Sequence, residues 1–160
     1  SRMPLKEIIL EAEETIGRIF SGDENLPELK RMIDLAVELA ENGEAGDLDN
    51  IHRLGEGWVA EETLGISLYC ALRYEDDFSA GVTAAVNHDG DSDSTGAVTG
   101  NILGTLHGYS AIEEKWKKDL ELSDVILELA DDLCQGCLMS EYSSYEDPEW
   151  EAKYIHMHRP

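Results

Sequence analysis

The sequence predicts an all-α protein, and three observations predict it. Apolar residues recur at i, i+3 and i+4 in one segment after another. No stretch alternates with the period of two that a half-buried strand needs. Gly, Asn, Asp and Pro fall between the periodic segments, where helices start and stop. With 160 residues the chain can build one domain with a real core and is too short for two ordinary ones.

The first element runs over Pro4–Phe20, with Leu5, Ile8, Ile9, Ala12, Ile16, Ile19 and Phe20 at helical spacing and Pro suited to a first turn. Ser21–Asn25 breaks it. Leu26–Glu41 is a second amphipathic helix, turning Leu29, Met32, Ile33, Ala36, Val37, Leu39 and Ala40 inward, and Asn42-Gly43 is its stop signal. This Met and Leu stripe reads as core. Gly43–Gly57, rich in Gly and Asp, is expected to be irregular. Trp58–Arg73 follows as a third helix, with Glu61-Glu62 in the first turn, where the helix dipole favours negative charge. One of these two carboxylates is free to serve as a buried hydrogen-bond acceptor. Asp76-Asp77-Phe78 opens a fourth helix, small-faced through Ala80, Val82, Ala84 and Ala85, ending near Asn87-His88.

Behind it come the acidic loop His88-Asp89-Gly90-Asp91-Ser92-Asp93-Ser94-Thr95-Gly96 and a Gly-spaced segment to Gly108. Ser92, Ser94 and Thr95 are all N-cap candidates, so the loop lies at a helix N-terminus. Gly96, Gly100, Gly104 and Gly108 stand four apart on one face. Since Gly in a helix costs about 1 kcal/mol against Ala, close approach of a neighbouring helix is expected, with this helix central and buried. Tyr109–Lys115 connects to a last amphipathic helix over Leu122–Leu138, with Val125, Ile126, Leu129 and Leu133 inward. Residues 1–138 form the expected helical domain, and 139–160 a polar, aromatic tail carrying Tyr142, Tyr145, Trp150 and Tyr154.

Twelve Lys and Arg against 35 Asp and Glu give a formal net charge of −23. Such a surface repels phosphate backbones, so neither nucleic acid nor an anionic membrane is an expected partner. No apolar run approaches the roughly 18–20 residues of a membrane span. Cys70, Cys134 and Cys137 are an odd set without a disulfide spacing, and Ser1-Arg2-Met3-Pro4 leads into an amphipathic helix instead of a leader. A cytoplasmic protein is therefore expected. Cys134-Gln135-Gly136-Cys137 is formally C-x-x-C, but without a second pair it reads as two semi-buried thiols near a helix end.

Asp-x-Asp followed by a hydroxyl can turn several hard oxygens toward one point, as Mg²⁺, Mn²⁺ or Ca²⁺ requires. Composition alone equally allows a solvated acidic loop. An EF-hand does not fit: from Asp91 the twelfth residue is Ile102, and from Asp89 it is Gly100, where Glu is needed.

A resemblance separates these readings. Gly90-Asp91-Ser92-Asp93-Ser94-Thr95-Gly96, followed by Ala97-Val98-Thr99-Gly100-Asn101-Ile102-Leu103-Gly104, resembles the C-terminal signature of the ADP-ribosylglycohydrolase family. These are all-helical enzymes that hydrolyse the bond between ADP-ribose and a modified group. Leu54-Gly55-Glu56-Gly57-Trp58-Val59-Ala60-Glu61-Glu62-Thr63-Leu64 resembles the segment that precedes the signature, and Trp116–Leu122 and Asp124-Val125-Ile126 fit downstream. The similarity covers about Leu54 to Leu133 and, more weakly, the helices before it.

The resemblance implies an orthogonal helical bundle, the C-terminal part of that family's fold. It implies a dinuclear Mg²⁺ or Mn²⁺ site in which Asp91, Asp93 and Ser94 are ligands, Ser94 standing where the family usually has Thr. His88, Gly90 and Ser92 would line the ligand, and Asp89 would be outside the ligand set or solvated. His52 and Arg53 lie in a loop that faces the active-site side in the family. The implied ligand is ADP-ribose, or an ADP-ribosylated protein or small molecule. The family's N-terminal half normally adds a Gly-Asp segment with a nearby Glu and a Thr-Asp-Asp cluster, and neither precedes Gly90. The expectation is thus a piece of the family domain with half of the metal site, completed by the N-terminal half or by a second chain. The alternative is an inactive member acting as a ligand-binding or structural interaction module.

Overall fold

The structure is a computed structural model that describes residues 3–136 and 144–156. Among them are eight α-helices and no strand: α1 (Leu5–Ile19), α2 (Leu26–Asn42), α3 (Asp47–Leu54), α4 (Ala60–Arg73), α5 (Phe78–Val86), α6 (Ser92–His107), α7 (Ser123–Gln135) and α8 (Pro148–Tyr154). The chain forms two compact units, residues 1–113 and 114–160. The boundary expected at 138/139, Cys137 and Tyr142 lie outside the described residues.

The first unit is built around α4. Its Gly65, Ile66, Ser67, Leu68, Tyr69, Cys70 and Ala71 are consecutive and all buried, so this stretch of it is enclosed on every side. Neighbours on its flanks are α2, α6, α5 and α3. Met32, Ile33, Ala36 and Leu39 from α2, Ile51 and Leu54 from α3, and Leu103 from α6 complete one apolar core with Ile66 and Tyr69. Each of the Met, Ile and Leu side chains contributes roughly 1.5–3 kcal/mol on burial.

This arrangement corrects the expectation that the Gly-spaced helix is central. Only Thr95, Thr99 and Leu103 of α6 are buried, one stripe of the helix. Among the glycines only Gly96 is closely opposed: a Cβ there would stand 2.5 Å from Val86 Cγ1. Gly104 has ordinary contact distances, and Gly100 and Gly108 face open space.

Two more expectations change. The stretch 43–57 is not irregular throughout, because it contains α3. Asp47 and Asp49 occupy the first turn of that helix and His52 and Arg53 the last, matching its dipole, while Ile51 and Leu54 are buried. Asn50 Nδ2 donates to Tyr69 Oη at 3.1 Å, and that hydroxyl donates to Asp47 at 2.7 Å, joining α3 to α4. Further, α1 turns only Leu5, Ile9 and Glu13 into the unit, with Glu13 paired to Lys30 at 3.0 Å. Ile8, Ile19 and Phe20, at helical spacing with them, are exposed.

In the second unit, α7 buries no residue, and Ile126, Leu129 and Leu133 are exposed instead of inward. Helix α8 is latched to it: Lys153 pairs with Glu128 and Asp132, and the Tyr154 hydroxyl donates to Asp132. Cys134 is exposed, not semi-buried.

Candidate metal and ligand site

The acidic loop bridges α5 and α6, and the chain fixes it from three directions. First, Thr95, fully buried in the opening turn of α6, donates from Oγ1 to the Ala85 carbonyl at 2.7 Å. His88 spans the same corner. Its Nδ1 accepts from Gly90 N–H at 3.1 Å, which leaves Nε2 as the protonated nitrogen, donating to Thr95 Oγ1 at 2.9 Å. Both ring nitrogens are thereby engaged inside the loop.

Second, the segment Gly55-Glu56-Gly57 lies directly against the loop. Asp91 N–H donates to the Glu56 carbonyl at 2.7 Å. A Cβ on Gly90 would fall within the radius of that same carbonyl oxygen, so only Gly fits. Gly57, at φ +83°, occupies the left-handed region and brings its Cα face to 3.0 Å from the Thr95 methyl and 3.6 Å from Asp91 Cβ, measured from a Cβ position.

Third, α4 braces that segment. Glu62, in the first turn of α4, accepts from the N–H groups of Glu56 at 3.2 Å and Gly57 at 3.0 Å. Thr63 Oγ1 donates to the Gly57 carbonyl at 2.7 Å. Of the two first-turn carboxylates, Glu62 is therefore the hydrogen-bond acceptor, while Glu61 faces a groove described below. The acidic loop thus rests, through Glu56 and Gly57, on the most buried helix of the unit.

On this base the side chains of Asp91 and Asp93 come together. Asp91 occupies the N-cap position of α6 without its carboxylate accepting a cap hydrogen bond, in place of the Ser or Thr cap expected. The Asp93 carboxyl lies below the ordinary carboxylate range, chiefly through a hydrogen bond with the Asp91 side chain and then through the N–H groups of Asp93 and Ser94. Asp93 is exposed and Asp91 half-buried, so the pair opens to solvent at a helix N-terminus, whose N–H groups favour anions. Ser94 is half-buried and lines a shallow groove with Thr63 and Val98. Gly90 and Ser92 supply backbone, with Ser92 N–H donating to the Gly90 carbonyl at 2.9 Å. Asp89 is 86% exposed and accepts from His52 Nε2 at 3.2 Å, which holds its carboxyl low.

The donor set is all hard oxygen, the chemistry that Mg²⁺ or Mn²⁺ selects. The Asp91 and Asp93 carboxylates suit such an ion in chemistry but do not fill its coordination sphere. Among the described residues no group of three His, Cys, Asp or Glu converges to do so. The sequence singles out the carboxylates, offers Thr95 as a cap and Glu61 or Glu62 as an acceptor, but ties neither of these, nor Glu56, to the support of the loop. A signal for Glu62 was present: Gly-x-Gly followed by an acid at the third helical position is the pattern of a side chain reaching back to free N–H groups.

The fold and this loop define a class: all-helical proteins that present an acidic, hydroxyl-rich loop at a helix N-terminus. The sequence profile of the ADP-ribosylglycohydrolase family matches residues 2–142, and the chain belongs to that family. No curated protein and no solved structure matches it. The family is generally metal-dependent and acts on ADP-ribosylated substrates.

Proposed function

We propose that this chain supplies one part of a metal-dependent site that hydrolyses ADP-ribosyl linkages. The observation that carries the reading is the convergence of Asp91 and Asp93 on a loop braced by Glu56, Gly57 and Thr95. Asp91 and Asp93 would hold Mg²⁺ or Mn²⁺, with Ser94 adding its hydroxyl. The ion, when bound, polarises ribose hydroxyls or water. Around it the chain's own groups orient and position: the α6 N-terminus favours an anionic ligand, and Gly90 lets the backbone approach closely. Further ligands come from a segment beyond these residues or from a second chain, in a dinuclear site.

Calorimetric titration of the chain with Mn²⁺, with and without ADP-ribose, tests the reading. Saturable binding is expected in the parent and lost in the Asp91→Ala, Asp93→Ala double variant. Equal binding by both proteins would discard the assignment.

A second reading, a member that binds ligand without turnover, is supported by the engagement of both His88 nitrogens within the loop. Neither ring nitrogen is then free to move a proton to or from a ligand. ADP-ribose binding with no release of product, in a protein supplied with the remaining ligands, would favour it.

A further inference from the structure

The first unit's own helices leave one of its apolar faces uncovered. Between α1, α2 and the start of α4 lies a groove of about 510 Å³, lined by Ile16, Phe20, Leu26, Leu29, Ala60 and Leu64 with Asp23, Asn25 and Glu61 at its edge. Ala60 and Leu64 are shared with the next groove, which runs along α6 past Ala97 and Val98. A third continues down α6 at Ile102 and Leu106 and reaches the start of α1 at Leu5 and Ile8. Phe20 in the first groove is exposed, and an uncovered apolar surface of this extent on a highly charged protein marks an interaction site.

We propose that this face docks an amphipathic helix of a different polypeptide, with cationic side chains at one end. Three observations select that occupant. The groove walls are helices, and no strand edge exists among the described residues, so a bound segment gains no backbone hydrogen bonds from them. It must satisfy its own, as a helix does. Small residues, Ala60 and Ala97, are among the lining, and Gly100 nearby on α6 faces open space, which permits close helix approach. Finally, the linings of all three grooves contain two carboxylates and no cation. Neither Asp23 nor Glu61 forms an ion pair among the described residues. A Lys or Arg meets that edge, whereas a second copy of this chain brings another net charge of −23. The run from Ser94 to Leu106 on α6 is about 18 Å long at 1.5 Å per residue, so the occupant needs three or more turns. This interaction stands independently of the catalytic reading.

The test uses the full chain and a synthetic helical peptide of about 15 residues, built of Leu and Lys with its leucines on one face. A scrambled peptide of the same composition controls for bulk charge attraction. In about 0.5 M NaCl, where exposed charges are strongly screened, the amphipathic peptide is expected to bind about tenfold tighter than the scrambled one. Ala60→Arg, at an exposed position in the groove, is expected to weaken binding about tenfold, and Ala45→Arg, exposed and outside the grooves, by less than about twofold. Ala97→Arg repeats the test from α6, and circular dichroism checks each variant's fold. Equal affinities for the two peptides, or for Ala60→Arg and Ala45→Arg, overturn the proposal. So does a parent that sediments as a dimer and becomes monomeric in Ala60→Arg, since the occupant is then a second copy.

Discussion

At the scale of single residues, two glycines of similar appearance in the sequence have opposite roles. A side chain at Gly90 collides with the Glu56 carbonyl, so Gly90→Ala must displace backbone at the loop and is expected to cost about 2–4 kcal/mol. Gly100 stands in a helix with nothing within 4 Å, and Gly100→Ala is expected to gain about 1 kcal/mol. Urea denaturation of the two variants checks both signs, and equal effects would remove the distinction. The thiols divide in the same manner. Cys70 is fully buried, and burial, aided by Asp47, pushes its thiol up to about 12. Native-state alkylation at pH 8 is expected to mark Cys134 and to leave Cys70 unmodified until the chain unfolds, as read by peptide mass mapping. Modification of Cys70 in the folded protein would contradict its enclosure.

At the scale of elements, the latch between α7 and α8 makes a pH prediction. Hydrogen bonds from Lys153 and Tyr154 hold the Asp132 carboxyl low, so its contribution is present above the ordinary carboxylate value of about 3.9 and is lost as pH falls through its lower folded value. Asp132 and then Glu128 hold the Lys153 ammonium high, so its contribution is present below about 10.4 and is lost as pH rises through its raised value. The contact should therefore persist between roughly pH 4 and pH 10. The NMR indole signal of Trp150, which packs on Tyr154 with ring centres 4.7 Å apart, should shift on leaving that window at either end. In Asp132→Asn the shift should already be present at pH 7. Helices were legible where apolar spacing was long and one-sided, as in α2, whose Met32, Ile33, Ala36, Val37 and Leu39 are buried as expected. Short α3 escaped because eight residues with two apolar anchors give too little periodicity. The ranking of α4 and α6 came out reversed because regular glycines resemble a packing stripe, while total enclosure depends on neighbours that no local pattern encodes.

At the scale of the whole molecule, a formal net charge of −23 sets like charges against one another over the surface. Raising NaCl from about 0.01 to 0.15 M shortens the screening length from about 30 to 8 Å, so the melting temperature should rise by a few degrees. A fall would show that specific ion pairs outweigh the general repulsion. The apolar face of α1 was legible as a helix face, but its direction was not. Periodicity says that Ile8, Ile16, Ile19 and Phe20 share a side, and only the assembled unit says what lies opposite. The candidate site shows the same limit: Asp91 and Asp93 are visible in the sequence as a motif, whereas Glu56, Glu62 and Thr95 join them only through the fold.

Helix α1 is anchored through Leu5, Ile9 and the Glu13–Lys30 pair, with Leu5 N–H bonded to Glu75 and Lys6 paired to Glu41. Detaching it exposes far less apolar surface than detaching any piece of α4, so its amides should exchange with solvent through a local opening at a free energy well below that of global unfolding. Ile16 and Phe20 ride on that same helix, so each opening takes one wall of the first groove with it. Breathing of α1 thereby sets how often that groove exists in finished form.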